Sequence, residues 1–234
     1  MQYYLEIFLL SILILNSIIT ATCLNIAVDF DLVGEGFHRS LEYSISFDGL
    51  NQVDCAVALH VLLPSAIYIN VDEVADLKRQ GKARVCSQGE TDVELFAENA
   101  ESQNVTICEQ LISSEINLSL PVHQRYQFAR ADGDYLDVLI PQPKLLLGCK
   151  NRIKEYRVSN IDLCAPCVDL ARKWREIPYK VEPTEKIWRV PVGNSSYLDH
   201  VSCTTLLVTS LGAAVVLRVL LQSGIKSRSG VKVD

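Results

Sequence analysis

Residues 201–221, VSCTTLLVTSLGAAVVLRVLL, limit the possible architecture more than any other stretch of the 234-residue chain. At about 1.5 Å rise per residue, 21 helical residues reach roughly 30 Å, the thickness of a bilayer's hydrocarbon core. The only charge, Arg218, lies three residues from the C-terminal end of the run, where its side chain can snorkel to the interface. Lys226, Arg228 and Lys232 follow against the single acid Asp234, while Asp199 and His200 precede the run. Basic residues after the helix place the tail, residues 222–234, in the cytosol and the bulk of the chain across the membrane. The sequence thus predicts a type I protein with one C-terminal span. A cleavable lipid-anchor signal would close on its apolar run, whereas thirteen largely polar residues follow this one.

The N-terminus supports that topology. Residues 7–19, IFLLSILILNSII, have the length of a signal-peptide core and are too short to span comfortably. Thr20, Ala21 and Thr22 supply small residues for cleavage, so residues 1–23 read as a leader, although the segment before the apolar run lacks Lys and Arg and carries Glu6. Residues 24–200 are then a lumenal domain. Three N-glycosylation acceptors fit this compartment, at Asn104, Asn117 and Asn194. Asn194 lies at most about 25 Å of extended chain from the span, close for a glycosylating enzyme.

The overall net charge of -6 conceals an asymmetry, because the lumenal segment carries 26 acidic and 18 basic residues. That sign excludes nucleic acid as a partner. Within it Leu41, Tyr43, Ile45 and Phe47 alternate with polar residues, and Asp48-Gly49 follows as a turn. Val57, Leu59, Val61 and Leu63 repeat the pattern, as do Ile116, Leu118, Leu120 and Val122, and then Trp188, Val190 and Val192. Period two with turn residues between predicts half-buried antiparallel strands. Residues 71–80 alone read as helical, with Asp72 as cap and Gly81 as terminator. The expected fold class is mainly β: a lumenal antiparallel β-sandwich-like domain with one short helix, plus the membrane helix.

Six cysteines fall inside the lumenal segment: Cys55, Cys86, Cys108, Cys149, Cys164 and Cys167. In an oxidising lumen they are disulfide candidates with fifteen possible pairings, and sequence selects none. Cys164-Ala-Pro-Cys167 has dithiol-oxidoreductase spacing, but that chemistry needs a βαβ scaffold the strand pattern does not offer. Zinc would require a second close ligand pair. Asp132-Gly133-Asp134 is foremost a hairpin turn, since Gly accepts positive φ. Asp29-Phe-Asp31 is a second Asp-x-Asp triplet, a spacing with which many glycosyltransferases hold a metal against a diphosphate. His38, His60 and His123 stand far apart in sequence, which favours structural roles. No catalytic residue, cofactor or metal is expected.

The segment Leu120-Pro-Val-His-Gln-Arg-Tyr126 resembles the LPVHxRY signature of the PIG-X family, related to the yeast protease-B-nonderepressible family. Gly36-Phe-His-Arg39, the block Leu63-Pro-Ser-Ala-Ile-Tyr-Ile69 with the acidic helix after it, Ala165-Pro-Cys167, Trp174, Tyr179-Lys180 and Val190-Pro-Val-Gly193 match in order, from about residue 34 to 221. The resemblance implies a non-catalytic accessory subunit in the endoplasmic-reticulum membrane. Its partner would be the polytopic subunit PIG-M, which transfers the first mannose from dolichol-phosphate-mannose during GPI-anchor biosynthesis. Two regions are candidate contacts. One is His123, Arg125 and Tyr126, whose alternative role is local hydrogen bonding. The other is the small-residue face of the span: Thr205, Thr209 and Ala213, with Ser210, Gly212 and Ala214, where helix backbones can approach closely. Competing classes are a lumenal oxidoreductase using Cys164 and Cys167, and a cell-surface adhesion or receptor ectodomain.

Overall fold

The computed structural model describes residues 24–50, 54–151, 153–181 and 186–229; the expected leader and the last five residues lie outside them. Alternation builds the strands. Leu41, Tyr43, Ile45 and Phe47 are all buried, while Ser44 and Ser46 between them face solvent. Each such apolar side chain contributes about 1.5–3 kcal/mol on leaving water.

Along the chain come β1 (Asn25–Val33), β2 (His38–Asp48), β3 (Cys55–Leu63), β4 (Ile67–Tyr68) and helix α1 (Val71–Arg79). β5 (Arg84–Gly89), β6 (Gln103–Leu111), β7 (Glu115–Gln124), β8 (Tyr135–Leu139) and β9 (Lys144–Cys149) follow. The remainder holds α2 (Cys167–Leu170), β10 (Arg175–Glu176), β11 (Lys180–Val181), β12 (Ile187–Pro191), a 3-10 turn (Ser195–Tyr197) and the long helix α3 (Leu198–Ser229). One five-stranded sheet runs in the order β11-β1-β2-β7-β4, the other β10-β9-β3-β6-β5, and β8 pairs with β12 in a ribbon. Within the two large sheets every pairing is antiparallel except β1 with β11. The short helices are one more than expected, because α2 was not legible as a helix: it has four residues and Pro166 at its cap.

The second sheet is covered on both faces. Val57, Leu59, Val61 and Leu63 of β3 are buried as alternation requires, and so are Ala56 and Ala58 between them. Those small residues, with Cys86, Cys108 and Leu146, receive Cys167 and Trp174, flanked by Ile161, Leu163 and Leu170. Gly148 of β9 admits that layer, since a Cβ there would stand 2.4 Å from the Cβ of Ala171. All six candidate cysteines close disulfides: Cys55–Cys149, Cys86–Cys164 and Cys108–Cys167. The first joins directly opposed residues of β3 and β9, and the other two fasten the segment around α2 to β5 and β6.

Helix α1 ends as read but starts differently. Asn70 is the cap, its Oδ1 accepting from the backbone N–H groups of Asp72 and Glu73 at 3.0 and 3.4 Å. The expected cap Asp72 sits instead in the first turn with Glu73, where both carboxylates complement the helix dipole. Gly81 closes the helix by donating its N–H to the Lys78 carbonyl at 3.0 Å.

The described chain forms two compact units, one comprising residues up to 126 with 137–188, the other residues 127–136 with 189–229. In the second, Gly133 does lie in a turn, its N–H donating to the Arg130 carbonyl at 3.1 Å, but not in the expected hairpin: β8 after it pairs with β12, whereas β7 before it pairs with β2 and β4. Glycine is required there for a different reason from positive φ. A Cβ on Gly133 would lie 2.3 Å from the Gly193 carbonyl oxygen. The stretch Ser195–Ser223 is long and apolar enough to cross a membrane, and none of it is buried within the protein.

His60, on β3, carries a pH prediction. Its Nδ1 lies 2.9 Å from the Thr106 hydroxyl. Burial, and then Lys144 opposite it, push its pKa below the ordinary 6.5, with Glu176 acting the other way. The unfolded chain therefore binds the proton more tightly. The stability owed to neutral His60 is complete above about pH 6.5 and is lost as pH falls toward the folded value. Replacing His60 with Gln flattens the decline in melting temperature as pH falls below about 6.5; parallel curves for both proteins would exclude this role.

Candidate functional site

Four sequence blocks meet at one end of the first sheet. Register explains why: His38 of β2 stands opposite His123 of β7, and Tyr68 of β4 stands opposite His123 on the other side. Cross-strand neighbours share a face, so the three rings form a row, His38 and His123 with centroids 4.6 Å apart and Tyr68 stacked on His123 at 5.1 Å. Glu73, in the first turn of α1, bridges both imidazoles. Its Oε1 lies 3.1 Å from His38 Nε2 and its Oε2 lies 2.7 Å from His123 Nε2. The capping bonds from Asp72 and Glu73 to Asn70 fix that first turn.

Sequence reading set His38 and His123 apart as isolated residues. The structure joins them, because the 84 intervening residues fold back through the β2–β7 pairing. Their only sequence signal was that each sits in a block resembling the family signature.

The signature residues then diverge in role. Arg125 is buried, with 2% exposure, and its guanidinium donates to the backbone carbonyls of Asp92 and, at 3.3 Å, Leu95. It also lies over the Tyr68 ring, 4.5 Å from the centroid. Burial pushes the Arg125 pKa down, partly countered by the carboxylates of Glu90 and Asp92, and raises that of Tyr68. Tyr126 is 67% exposed, its ring against Phe37 at 5.3 Å and Phe96 at 6.4 Å. Backbone bonds lace the site together: Gln124 N–H to the Phe37 carbonyl, Arg125 N–H to Ala66, and Ala97 N–H to Tyr126. So Arg125 holds local structure, His123 is half-buried on Glu73, and Tyr126 presents an aromatic face to solvent.

Other sequence candidates fall elsewhere. Cys164 and Cys167 do not form a dithiol pair: each is bonded to a different strand, which removes the oxidoreductase reading. Asp29 and Asp31 lie exposed on β1, Asp31 with Lys186 Nζ at 3.3 Å. Asn104 and Asn117 are exposed on β6 and β7, whereas Asn194 is half-buried and caps the 3-10 turn by accepting from the Ser196 N–H at 2.8 Å. On α3, Thr205, Thr209, Ser210, Gly212, Ala213 and Ala214 are exposed, and the Thr209 hydroxyl donates to its own helix at Thr205 O, 2.8 Å away.

Fold and site together define a class: a disulfide-tied β domain followed by one helix long and apolar enough to span a membrane, its most marked residues engaged in holding its own loops. The chain belongs to the PIG-X / PBN1 family, whose model matches residues 34–221. It is similar to the Homo sapiens protein named GPI alpha-1,4-mannosyltransferase I, stabilizing subunit, with 24% identity over 217 residues that cover 88% of this chain and 84% of the relative. The Rattus norvegicus protein of the same name is 25% identical over 219 residues, covering 88% and 86%.

Proposed function

We propose that this chain is the non-catalytic, stabilising subunit of a GPI mannosyltransferase I. The observation that carries this reading is the family match over residues 34–221, together with relatives of that name aligned over most of both lengths. The local chemistry is consistent with it, since Arg125 and Glu73 bind the chain's own carbonyls and imidazoles. The partner is the polytopic catalytic subunit, PIG-M-like, in the endoplasmic-reticulum membrane. The β domain faces the lumen, where Asn104 and Asn117 are accessible to glycosylation. Contact runs through the exposed Tyr126 region, the small-residue face of α3, or both.

Deleting the chain from cells should lower the amount of the catalytic mannosyltransferase subunit and of surface GPI-anchored proteins together. Purification in mild detergent should bring the catalytic subunit with it. Unchanged levels of both products after deletion would overturn the proposal. Glycans processed beyond the high-mannose form would point instead to a cell-surface ectodomain.

A further inference from the structure

We propose that His38, Glu73 and His123 form a zinc-binding site. Three separate elements supply the donors: β2, the first turn of α1, and β7. The ligand atoms of the three side chains all lie within 4.8 Å of one another. A tetrahedral zinc with bonds of about 2.0–2.1 Å holds its donors roughly 3.3 Å apart. The observed Nε2–Oε separations of 3.1 and 2.7 Å are close to that edge length. The same distances are those of each ring nitrogen hydrogen-bonded to its own Glu73 oxygen, so an entering ion exchanges these two hydrogen bonds for metal bonds and leaves the imidazole protons on Nδ1. Imidazoles carrying their proton on Nδ1 offer Nε2 lone pairs to the metal.

The donor set selects the ion. Two neutral nitrogens and one carboxylate suit zinc and disfavour calcium or magnesium, which take oxygen. Two of the donors are held in place by their surroundings: Tyr68 stacks on the His123 ring, and Asn70 fixes the turn that carries Glu73. Three protein ligands leave a fourth position, filled by water and open to solvent on the exposed His38 side. The bound ion would clip α1 to the two strands beneath it.

The test uses the full chain in mild detergent, purified without a histidine tag and stripped with chelator. Calorimetric titration with zinc should show one equivalent bound, and cobalt substitution should give the visible absorption of a tetrahedral site. His38→Ala, His123→Ala and Glu73→Gln should each weaken binding at least about tenfold, while His200→Ala, far along the chain on α3, should leave it unchanged. Zinc should also raise the melting temperature of the wild type and not of the Glu73→Gln protein. His38 is largely exposed, so its variant keeps the fold even where the His123 variant fails. Absence of one-equivalent binding, undiminished binding in the His38→Ala and Glu73→Gln proteins, or loss of binding in the His200→Ala protein would each overturn the proposal.

Discussion

Replacing Cys108 and Cys167 together with alanine should abolish accumulation of the folded protein. The bond closes a loop with a sequence separation of 59 residues. Chain-entropy arithmetic for a loop of that size gives roughly 4 kcal/mol of stabilisation, within the 2–5 kcal/mol that removal of a native disulfide typically costs. Domains of this class have a net stability of only about 5–15 kcal/mol. The loss is compounded by packing, since Cys108 and Cys167 are fully buried beside Ala58 and Trp174. Urea unfolding of the purified protein, and its steady-state amount in cells, are the measurements. A double variant as stable and abundant as the wild type would show that the segment around α2 is held by packing alone. The single variants should be worse still, because each leaves a free thiol able to mispair.

The second large effect concerns Arg125. Truncation to alanine should destabilise the domain by about 3 kcal/mol, because hydrogen bonds from a charged donor are worth about 1.5–3 kcal/mol each and two backbone carbonyls lose theirs. The stacking on Tyr68 is lost as well. Tyr126→Ala should cost about 1 kcal/mol or less, as expected for an exposed ring, yet should reduce co-purification of the catalytic partner. Chemical unfolding and pull-down, applied to both variants, separate the two roles. An Arg125→Ala protein of normal stability that no longer captures the partner would move Arg125 from scaffold to interface.

Strand placement was legible because burial writes itself into alternation: Leu41 to Phe47 and Val57 to Leu63 needed nothing beyond local pattern. The long apolar helix was legible for a similar reason, length and apolarity being local properties. Long-range geometry was not. His38 and His123 meet through pairing in which β2 is followed by four strands and α1 before β7 returns to it, and no periodicity encodes that return. Disulfide pairing was equally hidden, since fifteen connectivities satisfy the same composition. Asn70 displaced Asp72 as cap because its side chain, two positions earlier, reaches both orphan N–H groups, a boundary that pattern alone does not place to within two residues. Gly133 was read correctly as a turn residue and wrongly as to cause, because the Gly193 backbone that excludes a side chain lies sixty residues away.

The three disulfides also impose an order on synthesis. Each joins a cysteine from the first half of the chain, at 55, 86 or 108, to one from the second, at 149, 164 or 167, and the loops interleave. No native bond can close until residue 149 has been made. Cys55 waits 94 residues for its mate, roughly 5–20 s at ordinary elongation rates. From the time residue 108 has been made until Cys149 follows, Cys55, Cys86 and Cys108 coexist before any of their native mates. Where synthesis runs into an oxidising compartment, any early pairing among these three has to be undone by thiol–disulfide exchange before the native set can form.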